Sequence, residues 1–367
     1  MRRMSRGRFR SSVALVALAV TAGACASPTS APAPVAASRP APSPAPPPPP
    51  VVQTVPVLPE AFESEDFIVT FARPGDTAET LAARYLGDPG KAWMIEDYAG
   101  AGTTASAFSP GQEVVIPKRV WNLSGVRADG YQIVPVLCYH NFGDQAKGRM
   151  VMATSAFREQ MQYLKDNGYR VISLRDFLEF TRLGRQIPQR AVVLTFDDGY
   201  KSFRQLAYPV LKQLGFTATL FVYTDYVGAG RNALSWQDLR ELAAEGFDVQ
   251  AHSKSHGDLR RTTGEPDAQY QRRMQAELAQ PQELFQRHLG RRADVIAYPY
   301  GSWDEWLLGK AIEHGYVAGF SVRRQGNGSF VRPLAGNRSQ VYSEMTLDDF
   351  AKNLNVFQQE PLAGESR

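Results

Sequence analysis

From about residue 129 onward, apolar residues fall into short runs separated by longer stretches of helical period. The runs are Ile133–Tyr139, Val192–Phe196, Ala218–Tyr223, Phe247–Ala251, Asp294–Tyr298 and Val317–Val322. They are rich in β-branched and aromatic residues and read as buried strands. Between them, Phe157, Met161 and Leu164 share one helical face, and a second helix is predicted from Trp236 to Glu245, stopping at Gly246. A third runs from about Asp267 to Leu289 with a break near Pro281, and a fourth from Trp303 to His314 stops at Gly315. Strands alternating with helices that end on glycine describe a parallel α/β architecture. Six or seven such units suit a barrel better than an open sheet.

The pattern upstream is different. Residues 66–118 read as strand, helix, helix, strand: Phe67-Ile68-Val69-Thr70, a helical run from Ala78 to Tyr85, a second around Trp93, Ile95 and Tyr98, and Glu113-Val114-Val115-Ile116-Pro117. Asp76 or Thr77 can cap the first helix, and Pro110-Gly111 can make the turn into the last strand. The Pro74-Gly75-Asp76-Thr77 opening and the Pro110-Gly111-Gln112 to Ile116-Pro117 ending resemble a LysM domain. That resemblance implies binding to N-acetylglucosamine in glycan strands. It departs from the pattern at Tyr98-Ala99-Gly100, where an asparagine is usual.

Charge changes the picture mainly at the N-terminus. The net charge of the 367 residues is +4. Residues 1–24 hold five arginines and no acid, which leaves 36 basic against 37 acidic residues in the remainder. The basic balance thus belongs to one short segment and argues for no nucleic-acid partner. That segment continues into an apolar stretch, Val13–Val20, and then Ala22-Gly23-Ala24 before Cys25. This is the layout of an export signal, too short for a permanent bilayer span. The small residues abutting Cys25 resemble the lipobox of bacterial lipoproteins, which implies a lipidated Cys25 and a membrane anchor. Ala26 and Ser27, with no aspartate, point to the outer membrane facing the periplasm of a Gram-negative cell. Residues 25–65 then form a Pro- and Ala-rich spacer that cannot bury a core. The expected domains are therefore 1–24 (export signal), 25–65 (anchor and linker), 66–118 (glycan binding) and 129–357 (the α/β domain). The second cysteine, Cys138, lies inside an apolar run and reads as a buried free thiol.

Candidate chemistry gathers at predicted strand ends. The run Ala191–Phe196 ends in Asp197-Asp198-Gly199, and a buried strand tolerates two adjacent carboxylates only at an open end where a cation or water meets them. The strand Phe247–Ala251 ends in His252-Ser253-Lys254-Ser255-His256. If the chain turned helical there, both imidazoles would face one way and share a cation. With one carboxylate they make a His₂Asp set, which suits zinc with open positions for water. The other carboxylate, unligated, can accept a proton from water that the cation has made acidic, zinc lowering that pKa to about 7. His140 also follows a strand end, whereas His288 and His314 sit in last helical turns, where the helix dipole explains them.

Thr195-Phe196-Asp197-Asp198-Gly199 and His252-Ser253-Lys254-Ser255-His256 together resemble the first two motifs of the polysaccharide deacetylases, carbohydrate esterase family four. The resemblance covers about residues 130 to 355. It implies a distorted (β/α) barrel of about seven strands and hydrolysis of N-acetyl groups on amino sugars. It also implies Asp197 as general base and Asp198, His252 and His256 as ligands of a divalent metal, zinc first, with cobalt or nickel as alternatives. The third family motif is matched by Pro299 and Tyr300 in Ala297-Tyr298-Pro299-Tyr300-Gly301, so the Tyr300 N–H is expected at the oxyanion. Its usual arginine is absent there, and Arg338, ahead of Arg332, is the expected substitute. Pro135-Val136-Leu137-Cys138-Tyr139-His140 resembles the circularly permuted branch typified by poly-N-acetylglucosamine deacetylases, which makes His140 the expected proton donor. Tyr300 and Trp303 are expected to meet sugar rings. The expected partner is an N-acetylglucosamine glycan, peptidoglycan or exopolysaccharide. Two other readings stay open at this point: a metal amidohydrolase on another acyl or cyclic amide, and a non-enzymatic cell-wall-binding lipoprotein.

Overall fold

Seven parallel strands form one curled sheet in the computed structural model, which describes residues 61–99, 107–145 and 148–360. The export signal, the spacer to residue 60 and Cys25 lie outside the described residues. In chain order the strands are β1 (Val136–Tyr139), β2 (Ala191–Asp198), β3 (Thr219–Val222), β4 (Asp248–Ala251), β5 (Val295–Ala297), β6 (Ala318–Phe320) and β7 (Ser339–Gln340). Their order across the sheet is β6-β5-β4-β3-β2-β1-β7, with Arg170–Val171 pairing the start of β2. A bridge between Phe320 and Gly336 brings the β6 edge back toward β7. The alternating strands and helices expected from the sequence are thus a curled, barrel-like parallel sheet.

Both faces of this sheet are buried, which is why β2 reads as an almost unbroken apolar run. Successive side chains point to opposite faces. Leu137, Leu194, Leu220 and Val249 face outward into one core shared with the surrounding helices. Val136, Val193, Phe221, Val295 and Phe320 face inward, and the helix Leu174–Thr181 closes that interior with Leu174, Phe177 and Phe180. The same alternation points Thr195 and Asp197 inward.

The helix predicted from Asp267 to Leu289 is not broken. It runs as α1 (Asp267–Met274), a π-turn over Gln275–Ala279, and α2 (Gln280–Leu289). Pro281 has no N–H and its ring crowds the carbonyl a turn earlier, so the helix widens instead of ending. The same device precedes Pro209, where a π-turn at Phe203–Ala207 leads into the helix Tyr208–Leu214.

N-terminal to the barrel, the strands Ala61–Glu63, Phe67–Phe71 and Glu113–Pro117 form an antiparallel sheet with the helices Ala78–Leu86 and Ala92–Ala99. Thr77 caps the first helix in a reciprocal capping box with Thr80. Asp76, the other expected cap, instead pairs with Arg84 at 2.6 Å.

Candidate active site

Strand register carries the candidate residues to one end of the sheet. Asp198 pairs with Val222, Val222 with Ala251, and Ala251 with Ile296. His252 therefore leaves β4 at the level where β2 ends in carboxylates. His140 leaves β1 on the other side of β2. Asp197, Asp198, His140, His252 and His256, with Tyr200, Tyr300 and Gln340, line a cavity of about 190 Å³.

Two adjacent carboxylates on a strand should face opposite ways. Both reach the mouth because Asp198 adopts φ 75°, the left-handed region, and leaves the strand there. Ser253, His256 and Tyr300 share that region, at φ 68°, 64° and 60°. Of the five non-glycine residues with positive φ among the described residues, only Leu183 lies elsewhere. Strain of about 1–3 kcal/mol each, held by surrounding contacts, is the mark of a site fixed for use. Gly301, at φ 70°, is required for packing too: a Cβ there would lie 2.4 Å from Val322 Cγ2.

His252 and His256 do not sit on a helix, as their spacing alone would have it. A non-helical loop joins them, and its reversals at Ser253 and His256 bring the ring centroids to 4.8 Å. Asp198 Oδ1 lies 3.6 Å from His252 Nε2 and 3.3 Å from His256 Nε2. It is buried with no hydrogen-bond partner. His252 Nδ1 is 2.7 Å from the Ala297 carbonyl, so Nδ1–H donates there and Nε2 keeps its lone pair. An orphaned carboxylate oxygen facing imidazole nitrogens is the donor set of a tetrahedral cation site. Ligands at about 2.0–2.1 Å in tetrahedral array are about 3.3 Å apart, close to these spacings.

Asp197 is held differently. Arg338, fully buried, donates from Nη1 to Oδ1 at 2.6 Å and from Nη2 to Oδ2 at 2.7 Å. The guanidinium also bonds the Ser321 carbonyl and Thr195 Oγ1. Arg332, the other candidate, pairs instead with Glu305 at the surface. Cys138 donates its thiol to Asp197 Oδ2 at 3.3 Å. Cys138, His140 and Asp197 also offer donor atoms within 4.8 Å of one another. Arg338 already occupies both Asp197 oxygens, and burial pushes the Cys138 thiol well up, so this second set is a poor cation site.

Burial and charge separate the two carboxylates. Burial pushes Asp197 up, but the Arg338 charge and hydrogen bonds outweigh it and hold the group well below its ordinary value. Asp198 has no arginine on its oxygens, and burial, with the Asp197 charge beside it, outweighs a Tyr200 hydrogen bond and pushes it up to about 6. Burial lowers His252 to about 4 and lowers His256 and His140 as well, so all three are neutral imidazoles near pH 7. His140 Nδ1 is buried and unpartnered.

Of the expected sugar contacts, Tyr300 is 64% exposed with its ring 4.9 Å from that of His256. Trp303 instead packs against the outer core beneath Arg332 and lies outside the cavity lining.

Residues 184–319 match the family model described as polysaccharide deacetylase. YxkH of Bacillus subtilis (strain 168) is 30% identical over 189 residues, covering 52% of this chain and 64% of that protein. The poly-β-1,6-N-acetyl-D-glucosamine N-deacetylase of Escherichia coli (strain K12) is 26% identical over 256 residues, covering 59% of this chain and 37% of its own. The chain thus spans less than two thirds of the length of either relative. Among solved structures, the Streptococcus pyogenes deacetylase PplD, in complex with acetate, superposes with TM-score 0.54 at 24% identity over 62% of this chain and 99% of that one. IcaB from Ammonifex degensii gives TM-score 0.54 at 24% identity, covering 61% and 97%. At that identity the two structures show a shared fold.

Proposed function

We propose that the chain carries a polysaccharide deacetylase domain, a hydrolase of amide C–N bonds, and that it removes acetyl groups from N-acetylglucosamine units of a polymer with the help of a divalent metal. One observation carries the reading: the orphaned Asp198 oxygen set against His252 and His256, beside a carboxylate that Arg338 keeps ionised. Asp198, His252 and His256 would hold the ion, and the His₂Asp set favours zinc, with cobalt or nickel as alternatives. When bound, the ion supplies Lewis acidity, making water acidic near neutral pH and polarising the acetamide carbonyl.

The chain's own residues do the rest. Asp197, an ionised acceptor fixed by the Arg338 fork, takes the proton of the attacking water. The backbone N–H of Tyr300, held in its strained turn, is offered to the oxyanion. His140, neutral at rest and at the cavity wall, relays the proton taken by Asp197 to the nitrogen as the C–N bond breaks, giving acetate and a free amine and restoring both groups.

Export through residues 1–24 and lipidation of Cys25 would anchor the protein in the envelope, facing the periplasm, with residues 25–65 as spacer. The segment 66–118 would bind glycan as a LysM-like module, supported by its strand, paired helices and closing strand, ahead of the catalytic domain at 129–357. The substrate is proposed as poly-β-1,6-N-acetylglucosamine or the glycan of peptidoglycan, by likeness to the E. coli enzyme for the first and the LysM-like segment for the second.

Protein stripped with a chelator and reloaded with zinc should release acetate from at least one of these polymers, followed by mass spectrometry of the product. Release from neither, or release undiminished by the chelator, would sink the proposal. Metal affinity should also depend on pH. A cation must displace the proton that Asp198 holds below about 6, so affinity should fall about tenfold per unit under that pH. His252 adds its own loss only near 4. Competition with a chromophoric chelator between pH 5 and 8 measures this, and a flat profile would count against Asp198 as ligand.

A further inference from the structure

The loop between the two imidazoles is tied down by hydrogen bonds, and one side chain outside it accepts three of them. The Ser253 and Lys254 carbonyls accept from the backbone N–H groups of Thr224 and Asp225 at 3.2 and 2.9 Å. His256 N–H donates to Ser253 Oγ at 3.0 Å. The N–H groups of Lys254 and Ser255 both donate to Glu277 Oε2, at 3.1 and 3.0 Å. Ser255 Oγ donates to Glu277 Oε1 at 2.6 Å. A single carboxylate thus holds the middle of the loop whose ends, Ser253 and His256, are both left-handed.

Glu277 owes its place to the π-turn, of which it is the central residue. One extra residue per turn rotates the side chains that follow, so without the widening ahead of Pro281 Glu277 would face a different neighbour. We propose that Glu277 is a positioning residue that fixes the distance and angle between the His252 and His256 imidazoles by clamping the Lys254–Ser255 backbone. This rests on the metal-binding reading above and adds to it a residue well outside both motifs. Groups that orient metal ligands from behind typically change affinity by about 10- to 100-fold when removed.

The test is zinc affinity of the purified full chain, by chelator competition, alongside the melting temperature of the metal-free protein. Glu277→Ala is expected to weaken zinc binding about 10- to 100-fold. Glu277→Gln keeps a carbonyl oxygen for both backbone N–H groups, and Ser255 Oγ can reverse to accept from the amide, so affinity should stay within about threefold of wild type. If Glu277→Ala fails to fold, Glu277→Asp, one methylene too short for the clamp, should lose affinity in the same direction. Equal loss in the Gln and Ala variants would mean that Glu277 acts through charge, and undiminished affinity in Ala that it does nothing; either overturns the proposal. Failure of the wild-type protein to bind zinc would instead defeat the metal reading itself.

Discussion

Asp197→Asn is expected to lower kcat/KM for acetate release by about 10²- to 10⁴-fold while zinc still binds, the range that a positioned general base typically supplies. Arg338 holds both Asp197 oxygens, so the group is a charged acceptor at any working pH. Asp198 carries the orphaned oxygen that faces the imidazoles. An amide at 197 cannot take a proton, but it leaves the Asp198, His252 and His256 donors in place. The variant leaves the buried guanidinium facing one carbonyl oxygen and one NH₂ group, so lower thermal stability is expected as well. Zinc titration alongside kinetics separates these effects. Retained zinc with unchanged turnover would remove Asp197 from the proton-accepting role. Loss of both zinc and turnover would make Asp197 a ligand instead.

The parts of this site visible in the sequence are those whose chemistry conflicts with their surroundings. A carboxylate pair at the end of an apolar run, and histidines after strands, are costly in a buried sheet unless something meets them, so Asp197, Asp198, His140, His252 and His256 stand out. The alternation of strands and helices was legible for the same reason: apolar period follows burial. Arg338 was reachable only as the substitute for an arginine missing elsewhere, because an arginine next to a two-residue strand gives no local signal. His-x₃-His suggested a helix, but the strained loop depends on contacts from Thr224, Asp225 and Glu277 that are distant in sequence. The thiol contact of Cys138 with Asp197 follows from strand register, pairing Thr195 with Cys138, which no single strand reveals. Pro281 predicted a broken helix, but a π-turn ahead of it accommodates the ring and keeps the helix whole.

Arg338→Met tests the other half of the buried pair and should have the largest effect on stability. Deleting one partner of a buried ion pair costs about 3–5 kcal/mol, because the remaining charge keeps its burial and loses its compensation. Here the remaining charge is Asp197, and the Ser321 carbonyl and Thr195 hydroxyl lose a donor as well. The pKa follows with a definite sign. Burial alone raises a carboxylate, and only Arg338, with smaller help from the histidines, reverses that for Asp197. Without the guanidinium the Asp197 pKa should climb above its ordinary value, and the acid limb of kcat/KM should move to higher pH. In the wild-type fold the depressed Asp197 contributes stability that is present above its unfolded value and lost as pH falls through the folded one. In Arg338→Met that dependence should invert, the protein gaining relative stability as Asp197 takes a proton in mild acid. The double variant Asp197→Asn, Arg338→Met removes both charges and should recover part of the lost stability, since a neutral pair no longer carries uncompensated charge. Chemical denaturation of the wild-type, single and double variants at two pH values measures the stability terms, and the pH profile of kcat/KM for wild type and Arg338→Met measures the acid limb. Additive losses in the double variant, or an Arg338→Met acid limb unmoved from wild type, would show that the guanidinium does not govern the charge on Asp197.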